Sequence, residues 1–212
     1  MVGMSTLVVG ATGGLGQALA RALSGRGGKL FLLAREARAL GDLASSLGGE
    51  ALPADLASEL EVSAALAEAG PLDLLIYAAG AVSRASLREM SRAEAERIEM
   101  ANCGGVALTL KYARFTSGAR VILLGVYPEL VTVPGLAAYA ASKLGAEALL
   151  NVARKEFRRE GVRCTLVRLP AVATGLWAPL GGPPKSALQP QEAAARILDR
   201  ALVEPPPEVV EL

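Results

Sequence analysis

The sequence predicts an α/β fold: a doubly wound parallel sheet of about seven strands with helices on both faces. Short apolar runs bounded by turn residues alternate with longer stretches of helical periodicity, which is the order of elements in βαβ units. Because such a sheet is covered on both faces, its strands should be buried. The 212 residues, 52% of them hydrophobic, suffice for one large core. We therefore expect a single domain over residues 1–212.

Each predicted element follows from a local pattern. Strands are assigned to short apolar runs between turn residues, at 6–9, 30–33, 50–53, 72–77, 120–124, 163–168 and 209–212. Helices are assigned to stretches with helical spacing and good helix formers, at 15–24, 38–47, 59–68, 84–116, 137–160 and 191–202. The glycine and proline residues at 181–184 break any regular element, so we expect a mobile loop there.

Composition and charge narrow the classes of function. The formal net charge of +1 gives no field that would gather nucleic acid or an anionic membrane surface, so we expect a small-molecule partner. The mixed-sign run at 154–160 is interpreted as a solvated helix end rather than a nucleic-acid patch. The chain has no histidine, which removes the commonest general base and a common metal ligand, so we expect no metal site.

The cysteines and the first residues bear on the compartment. Cys103 and Cys164 are far apart in sequence, which favours a reducing, cytoplasmic environment and a packing role for both thiols. The first twenty residues carry no charge, but they lack a basic region and include five glycines. We interpret them as a folded segment rather than a signal peptide, and we expect no membrane span.

A glycine-rich turn follows the first predicted strand and leads directly into a predicted helix. It comprises Gly10, Thr12, Gly13, Gly14, Leu15 and Gly16. A dinucleotide pyrophosphate requires a tight turn, close approach of bare backbone, and free amide groups at the positive end of a helix dipole. An ordinary strand-to-helix turn is the alternative. The flanking strand and helix favour phosphate binding.

The end of the second predicted strand bears on which dinucleotide would bind. NAD is usually held there by a carboxylate on its free 2′-hydroxyl, but this chain has Ala34 and Arg35. Alanine leaves room for a 2′-phosphate, and Arg35 offers planar, charged donors to it, so the sequence favours NADP(H). Arg38 is a possible second phosphate contact. The alternative is that Arg35 is a solvated residue leading a helix.

Tyr139 and Lys143 are four residues apart in a predicted helix and therefore share one face. A phenol has a pKa of about 10 and is a poor base at neutral pH, but a neighbouring ammonium favours the phenolate. Lysine could thus make the tyrosine usable in proton transfer. Chance copies of this spacing are common, so a half-buried tyrosine with a solvated lysine is the alternative.

Read in order and spacing with Asn102, these residues resemble the short-chain dehydrogenase/reductase family across nearly the whole chain. The resemblance implies a Rossmann-like fold whose glycine motif matches Gly10, Gly14 and Gly16. It also implies that Tyr139 donates a proton to a substrate carbonyl oxygen, that Lys143 also holds the nicotinamide ribose, and that Asn102 positions a water for proton relay. By the same resemblance, Asp55 and Leu56 would touch the adenine, Ala79 and Gly80 would end the fourth strand beside the cofactor, and Thr174 would meet the nicotinamide amide.

The chain departs from the family pattern in three places. Tyr77 and Ala78 stand where the family has two asparagines, so a stabilising polar contact is expected to be missing. Ala171 replaces a glycine before Thr174, and that segment is one residue tighter. Val126 stands where the family has the serine that hydrogen-bonds the reacting carbonyl.

The third departure bears most on catalysis. Loss of one donor of this kind typically slows turnover about a hundred- to a thousand-fold. Tyr127 or Thr132 is a candidate replacement if the loop is remodelled, although both residues also have an ordinary packing or loop interpretation.

The sequence thus favours an NADP(H)-dependent oxidoreductase that acts on a carbonyl or secondary alcohol, with Tyr139, Lys143 and Asn102 as its catalytic residues. The alternative is a non-enzymatic NADP(H)-binding or redox-sensing protein in which catalysis has decayed through Val126. The glycine spacing also overlaps that of sugar-nucleotide epimerases and flavin reductases, although the chain is short for an epimerase. By analogy with the family we expect a homodimer or homotetramer.

Overall fold

The computed structural model describes residues 3–212, and its strands form one parallel sheet of seven members. In chain order they are β1 Ser5–Val9, β2 Lys29–Ala34, β3 Glu50–Pro53, β4 Pro71–Tyr77, β5 Arg114–Val126, β6 Arg163–Leu169 and β7 Val209–Glu211. Their spatial order is β3-β2-β1-β4-β5-β6-β7. The order reverses between β1 and β4, as in doubly wound folds that bind ligands at this switch point. The predicted fold class is confirmed.

Helices connect the strands and cover both faces of the sheet. They are α1 Gly14–Ser24, α2 Ala37–Leu47, α3 Glu59–Ala69, α4 Arg92–Glu99, α5 Gly105–Tyr112, α6 Pro128–Val131, α7 Ala137–Glu156 and α8 Pro190–Ala201. A π-helical turn, Met100–Gly104, joins α4 to α5, and 3-10 turns occupy Phe157–Glu160 and Gly175–Leu180. None of the helices within residues 3–212 is long and apolar enough to cross a membrane.

Alternating side chains of β1 show why the sheet has two cores. Leu7 and Val9 point to one face and pack with residues of α3, α5 and α7. Val8 points to the other face and packs with residues of α1, α2 and α8. Successive side chains of a strand point to opposite faces, so a continuously apolar run can anchor both layers of helices.

The predicted helix over residues 84–116 is wrong at both ends. The helical segment begins at Arg92 because the hydroxyl of Ser91 accepts a hydrogen bond from the backbone N–H of Glu94 and caps the first turn. It ends at Tyr112, since Ala113 is extended and β5 starts at Arg114. Residues 81–91 are therefore free to lie over the carboxyl edge of the sheet, where the candidate site is found.

Candidate active site

A cleft of about 1570 Å³ lies at the carboxyl ends of the strands and brings the candidate residues together. The glycine turn lines one part of it, through Gly10, Thr12, Gly13, Gly14 and Leu15. Tyr139, Lys143 and Thr174 line it as well. In an open α/β sheet the crevice beyond the strand ends, at the switch point, is where ligands bind. Most of the predicted site residues thus share one cleft, whereas Gly16 and Asn102 are not among the residues that line it.

Gly10 shows why the turn requires glycine. Its φ of +79° is strained for any residue with a side chain. A Cβ atom at this position would lie 2.5 Å from the backbone N and Cα of Ala79, so the turn after β1 packs directly on the residues that follow β4. Both N–H groups of Gly10 and Ala11 donate to the carbonyl of Leu33, which fixes the turn against the end of β2.

The remaining glycines bring the start of α1 against this turn. A Cβ at Gly16 would lie 2.1 Å from the carbonyl oxygen of Gly10, so the helix can approach only because that atom is missing. In the described part of the chain, the N–H groups of Gly14, Leu15 and Gly16 find no backbone acceptor outside the helix, as expected of a first turn. Such amides at a helix N-terminus form an anion-binding site.

The residues that follow β2 and β3 form another part of the cleft wall. Arg35 is exposed and lines the cleft beside the buried Ala34. Asp55 and Leu56 line it after β3, and the Asp55 carboxylate accepts a hydrogen bond of 3.0 Å from the N–H of Ala57, which orients the side chain. Arg38 is exposed on α2 and does not line the cleft, so its candidacy as a second phosphate contact loses support.

Tyr139 and Lys143 lie one turn apart on α7 and both line the cleft, but their pKa values differ from the expected pattern. Burial raises the pKa of the Tyr139 phenol to about 12. Burial also lowers the pKa of the Lys143 ammonium to about 8. The Lys143 Nζ donates to the carbonyl of Leu124 at 3.1 Å. In the protein alone, desolvation of the phenol therefore outweighs any help from the ammonium.

Asn102 is almost fully buried in the π-helical turn, and its amide is engaged by the protein. Its Nδ2 donates to the carbonyl of Ala81 at 2.8 Å and to the Ser142 hydroxyl at 3.0 Å. Its Oδ1 accepts from the N–H of Ala81 at 3.0 Å. Ser142 in turn donates to the carbonyl of Tyr139. The side chain thus connects the segment after β4 to α7 and positions the candidate catalytic helix.

The expectation that a polar contact is missing after β4 is wrong, because Tyr77 makes one. Its buried hydroxyl donates to the carbonyl of Ala101 at 2.9 Å and so holds the π-helical turn that carries Asn102. A Cβ at Gly105 would lie 2.4 Å from this hydroxyl oxygen, so the tyrosine fits because position 105 is glycine. Burial raises the pKa of the Tyr77 phenol, which keeps it neutral. The tyrosine supplies a contact of its own where the family has asparagine.

Neither candidate replacement for the serine reaches the site. The hydroxyl of Tyr127 donates to the carbonyl of Leu212 at 2.9 Å, at the far edge of the sheet. The hydroxyl of Thr132 is exposed and donates to the carbonyl of Pro128 at 2.7 Å. Both hydroxyls donate to backbone carbonyls of residues outside the cleft lining, so the replacement hypothesis is wrong for these two residues. Val126 itself lines the cleft.

Thr174 lies against the glycine turn. A Cβ at Gly14 would lie 3.0 Å from the Cγ2 of Thr174, so the two segments are in close contact. The loop beyond it is closed at its base by a parallel bridge between Val172 and Leu188. The Trp177 side chain is tied to this base, since its Nε1 donates to the carbonyl of Val172 at 2.8 Å.

Three residues of the cleft region were missed by the sequence analysis. Arg84 and Trp177 line the cleft, and Ser142 joins Asn102 to α7. Arg84 was placed inside a predicted helix, although the serine at 91 followed three residues later by glutamate is a sequence signal for a later helix start. Trp177 carried no signal beyond being the one tryptophan of the sequence.

The cysteines fit the expected packing role. Cys164 is buried, and burial raises the pKa of its thiol to about 11. Cys103 lies in the π-helical turn, and burial raises the pKa of its thiol as well. Because the thiolate is the nucleophilic form, neither residue is poised to react.

Comparison with known proteins identifies the family. The model of the short-chain dehydrogenases matches residues 5–183 of the chain. The protein therefore belongs to the short-chain dehydrogenase/reductase family, a family of oxidoreductases that use a nicotinamide cofactor.

The relatives differ in how closely they resemble this chain. A chain from Thermus thermophilus, described as a short-chain oxidoreductase, is 55% identical, with 99% of this chain and 100% of that chain covered and a TM-score of 0.89. An uncharacterized oxidoreductase from Mycobacterium tuberculosis is 30% identical over 172 residues, covering 75% of this chain and 64% of that protein. The glycine betaine reductase ATRR of Emericella nidulans is 30% identical over 187 residues, covering 82% of this chain and 15% of that protein. The chain thus spans less than two thirds of these two curated relatives.

Proposed function

We propose that the protein is an NADP(H)-dependent oxidoreductase that interconverts a carbonyl compound, either a ketone or an aldehyde, and the corresponding secondary or primary alcohol. The observation that carries the proposal is one cleft that contains both an exposed glycine turn at a helix N-terminus and the Tyr139 and Lys143 side chains. A phosphate-binding turn alone indicates a nucleotide, and a tyrosine alone indicates nothing. Their presence in the same cleft joins a dinucleotide site to a proton donor.

The residues of the cleft fit the cofactor. The bare backbone at Gly13 and Gly14 leaves space that side chains would fill, beside the free amides of the first turn of α1. Arg35 would hold the 2′-phosphate beside the small Ala34, with no carboxylate at either position to repel it. Asp55 and Leu56 would contact the adenine, Lys143 the nicotinamide ribose, and Thr174 the nicotinamide amide. When bound, the cofactor would supply or accept the hydride.

The chain's own residues would manage the proton. During reduction, Tyr139 would give its phenolic proton to the carbonyl oxygen as the carbonyl carbon gains a hydride, so that the products are an alcohol and a tyrosinate. A phenol whose pKa lies at about 12 is protonated at neutral pH, so the proton to be donated is present on Tyr139. Lys143 would stabilise the tyrosinate until it regains a proton from solvent, and Asn102 would hold the surrounding backbone in place.

A second candidate function is a protein that binds NADP(H) without catalysis. The supporting observation is the apolar side chain of Val126 in the cleft, together with the Tyr127 and Thr132 hydroxyls, which donate to carbonyls outside the cleft lining. A missing donor slows the reaction without removing the proton donor, so we favour a slowed enzyme over an inactive one.

NADPH oxidation in the presence of a panel of aldehydes and ketones separates the two functions. The enzyme hypothesis expects carbonyl-dependent oxidation above the rate without protein. Tight NADPH binding with no oxidation by any carbonyl would support the non-enzymatic alternative.

The choice of cofactor has its own test, because NADPH and NADH differ at the 2′-phosphate. We expect NADPH to bind at least about tenfold more tightly than NADH, and Arg35→Gln to remove most of that difference. Arg38→Gln is the matched control, since Arg38 is exposed nearby but lies outside the cleft lining. Equal dissociation constants for the two dinucleotides in the wild-type protein would refute the assignment.

We further propose that the protein is a cytoplasmic homo-oligomer. The outer side of α7 carries the exposed residues Ala141, Leu144, Ala148 and Val152 at helical spacing, and Val152 is 53% exposed. An apolar stripe of this kind is buried when two copies pair. Sedimentation of the wild-type protein and of Leu144→Arg tests this, with a dimer or tetramer expected for the first and smaller species for the second.

A further inference from the structure

We propose that the cleft around Tyr139 takes a carbonyl substrate with an apolar body and one carboxylate, and that Arg84 holds the carboxylate. The inference rests on the proposed function, because it names the substrate class of the same site. It goes further by assigning specificity to a residue that the resemblance to the family does not mark.

The backbone around Arg84 fixes its side chain over the Tyr139 end of the cleft. The N–H of Ala85 donates to the carbonyl of Gly135 at 3.0 Å, which joins the segment after β4 to the loop before α7. A Cβ at Gly135 would lie 2.9 Å from the Cγ of Arg84, so the arginine stem packs where position 135 has no side chain. Gly135 lies in the loop that leads into α7, the helix of Tyr139, and both Arg84 and Tyr139 line the cleft.

The guanidinium of Arg84 is available for a ligand. Within residues 3–212, neither the ion pairs nor the side-chain hydrogen bonds include Arg84, although Arg97 in the same cleft pairs with Glu94 at 2.7 Å. Arg35 is likewise unpaired in the described chain, but it lies at the end of β2, where the cofactor phosphate is expected. The cleft thus holds two available guanidinium groups, and they belong to different ends.

The acidic residues of the cleft do not neutralise Arg84. Glu96 forms an ion pair with Arg92 at 2.6 Å, on the exposed side of α4. The carboxylate of Glu99 lies near the π-helical turn, 3.3 Å from where a Cβ of Gly104 would be. Within residues 3–212 no ion pair joins Arg84 to either carboxylate, or to Asp55, the third acidic residue of the cleft lining.

The surrounding walls define the rest of the ligand. Val82, Leu136 and Tyr139 belong to one apolar cluster, against which Leu176 packs, and Trp177 lines the same cleft. Apolar walls with one convergent polar group are typical of sites that bind an apolar body in a fixed orientation. A guanidinium matches a carboxylate with two parallel hydrogen bonds, and a single guanidinium balances a single negative charge.

Matched pairs of aldehydes provide the kinetic test. One pair is 4-carboxybenzaldehyde and its methyl ester, and the other is 9-oxononanoate and its methyl ester, each assayed with saturating NADPH. For the wild-type protein we expect kcat/KM to favour the carboxylate over the ester in at least one pair. Arg84→Gln should lower that preference about tenfold, mainly through KM, while the ester is reduced at the wild-type rate. Arg84→Lys should retain part of the preference.

The matched control is Arg88→Gln, because Arg88 is an exposed arginine of the same segment that does not line the cleft. It should leave the preference unchanged, whereas a general effect of surface charge would move both variants alike. A wild-type preference for both esters, or an equal carboxylate preference in wild-type and Arg84→Gln proteins, would overturn the inference.

A binding measurement separates failure of this inference from failure of the proposed function. Calorimetric titration of 4-carboxybenzaldehyde and its methyl ester into the NADP⁺-saturated protein measures binding without reduction, because the oxidised cofactor has no hydride to give. If no aldehyde is reduced but the acid still binds about tenfold more tightly than the ester in an Arg84-dependent manner, the site assignment stands and the enzyme hypothesis fails. If the esters are reduced but the affinity for the acid does not depend on Arg84, the enzyme hypothesis stands and the assignment of Arg84 fails.

Discussion

The two ends of the cleft are built in different ways. The glycine end is made largely of backbone: Gly10 packs on the backbone of Ala79, Gly16 on the carbonyl of Gly10, and the first amides of α1 remain free. The Tyr139 end is made of side chains that come from separate segments of the chain, among them Val82, Leu136 and Trp177. A backbone site tolerates little change at its glycines, whereas a side-chain site can change its ligand without a change of fold.

The largest expected effect comes from a substitution that removes proton transfer at the Tyr139 end of the cleft and leaves NADPH binding at the glycine end intact. Tyr139→Phe should lower kcat for carbonyl reduction about a thousandfold, because the proton donor is lost, while the NADPH dissociation constant changes less than about threefold. Steady-state kinetics and NADPH titration measure the two effects. Tyr112→Phe is the matched control, since that hydroxyl binds Glu59 outside the cleft. Unchanged turnover in Tyr139→Phe would remove this residue from the mechanism.

The next effect breaks the glycine end. Gly10→Ala places a side chain at a φ of +79° and 2.5 Å from the backbone of Ala79. The substitution should therefore lower the free energy of unfolding by about 3 kcal/mol. It should also weaken NADPH binding by about tenfold or more. Denaturant unfolding and NADPH titration test it. Gly41→Ala is the control, because a Cβ at this α2 position meets nothing within 4 Å. That variant should be about 0.5–1 kcal/mol more stable than the wild type. Equal stability of the two variants would contradict the account.

A third substitution, at the Tyr139 end, should raise the rate of reduction instead of lowering it. Val126→Ser supplies a hydroxyl where the family has its carbonyl donor, and it should raise kcat by about tenfold or more if Val126 limits the rate. Val133→Ser adds a hydroxyl at another position of the cleft, 40% exposed, and should leave kcat unchanged. If the two serines act alike, Val126 is not the reason for slow turnover.

The smallest expected effect concerns the ionisation of Lys143, which lines the cleft one turn after Tyr139. Burial disfavours the ammonium and lowers its pKa to about 8, so the cationic donor is present below this pH and is lost as the pH rises through it. From pH 7 upward, kcat/KM for NADPH should therefore fall several-fold with an apparent pKa of about 8. Lys143→Arg should lack this limb, since a guanidinium does not titrate in the range. The same limb in both proteins would assign it to another group.

Much of the fold followed from local patterns in the sequence. Strand β3 was predicted at the residues where it is found, and β1, β2, β4 and β6 within one residue at each end. These strands are short apolar runs with clear turns on both sides. The start of β5 was missed because Arg114–Ala119 carries no such run, and its pairing with β4 includes a shift in register between Leu72 and Leu74. Helix propensity continued past Tyr112, but tertiary pairing decided the local structure.

The candidate site divides in the same way. The glycine end could be predicted because its constraint is local: a positive φ or a close backbone approach demands glycine at a fixed spacing. The Tyr139 end could not be predicted, because its walls are formed by side chains from separate segments of the chain that meet only in the folded structure. Tyr127 and Thr132 were plausible donors by proximity in sequence, yet their hydroxyls bind carbonyls elsewhere. For Tyr77, the sequence analysis considered only the asparagine that it replaces, and could not show that its hydroxyl donates to the carbonyl of Ala101.

The central claim is that a hydride passes between a nicotinamide and a carbonyl within this cleft. Incubation of the wild-type protein with NADPH deuterated at the transferable position of C4 and a reducible aldehyde tests it directly, with the alcohol product examined by NMR. The account predicts deuterium on the carbinol carbon of the alcohol with wild-type protein and almost none with Tyr139→Phe. Tight binding of the labelled cofactor without transfer of deuterium to any aldehyde or ketone would contradict it.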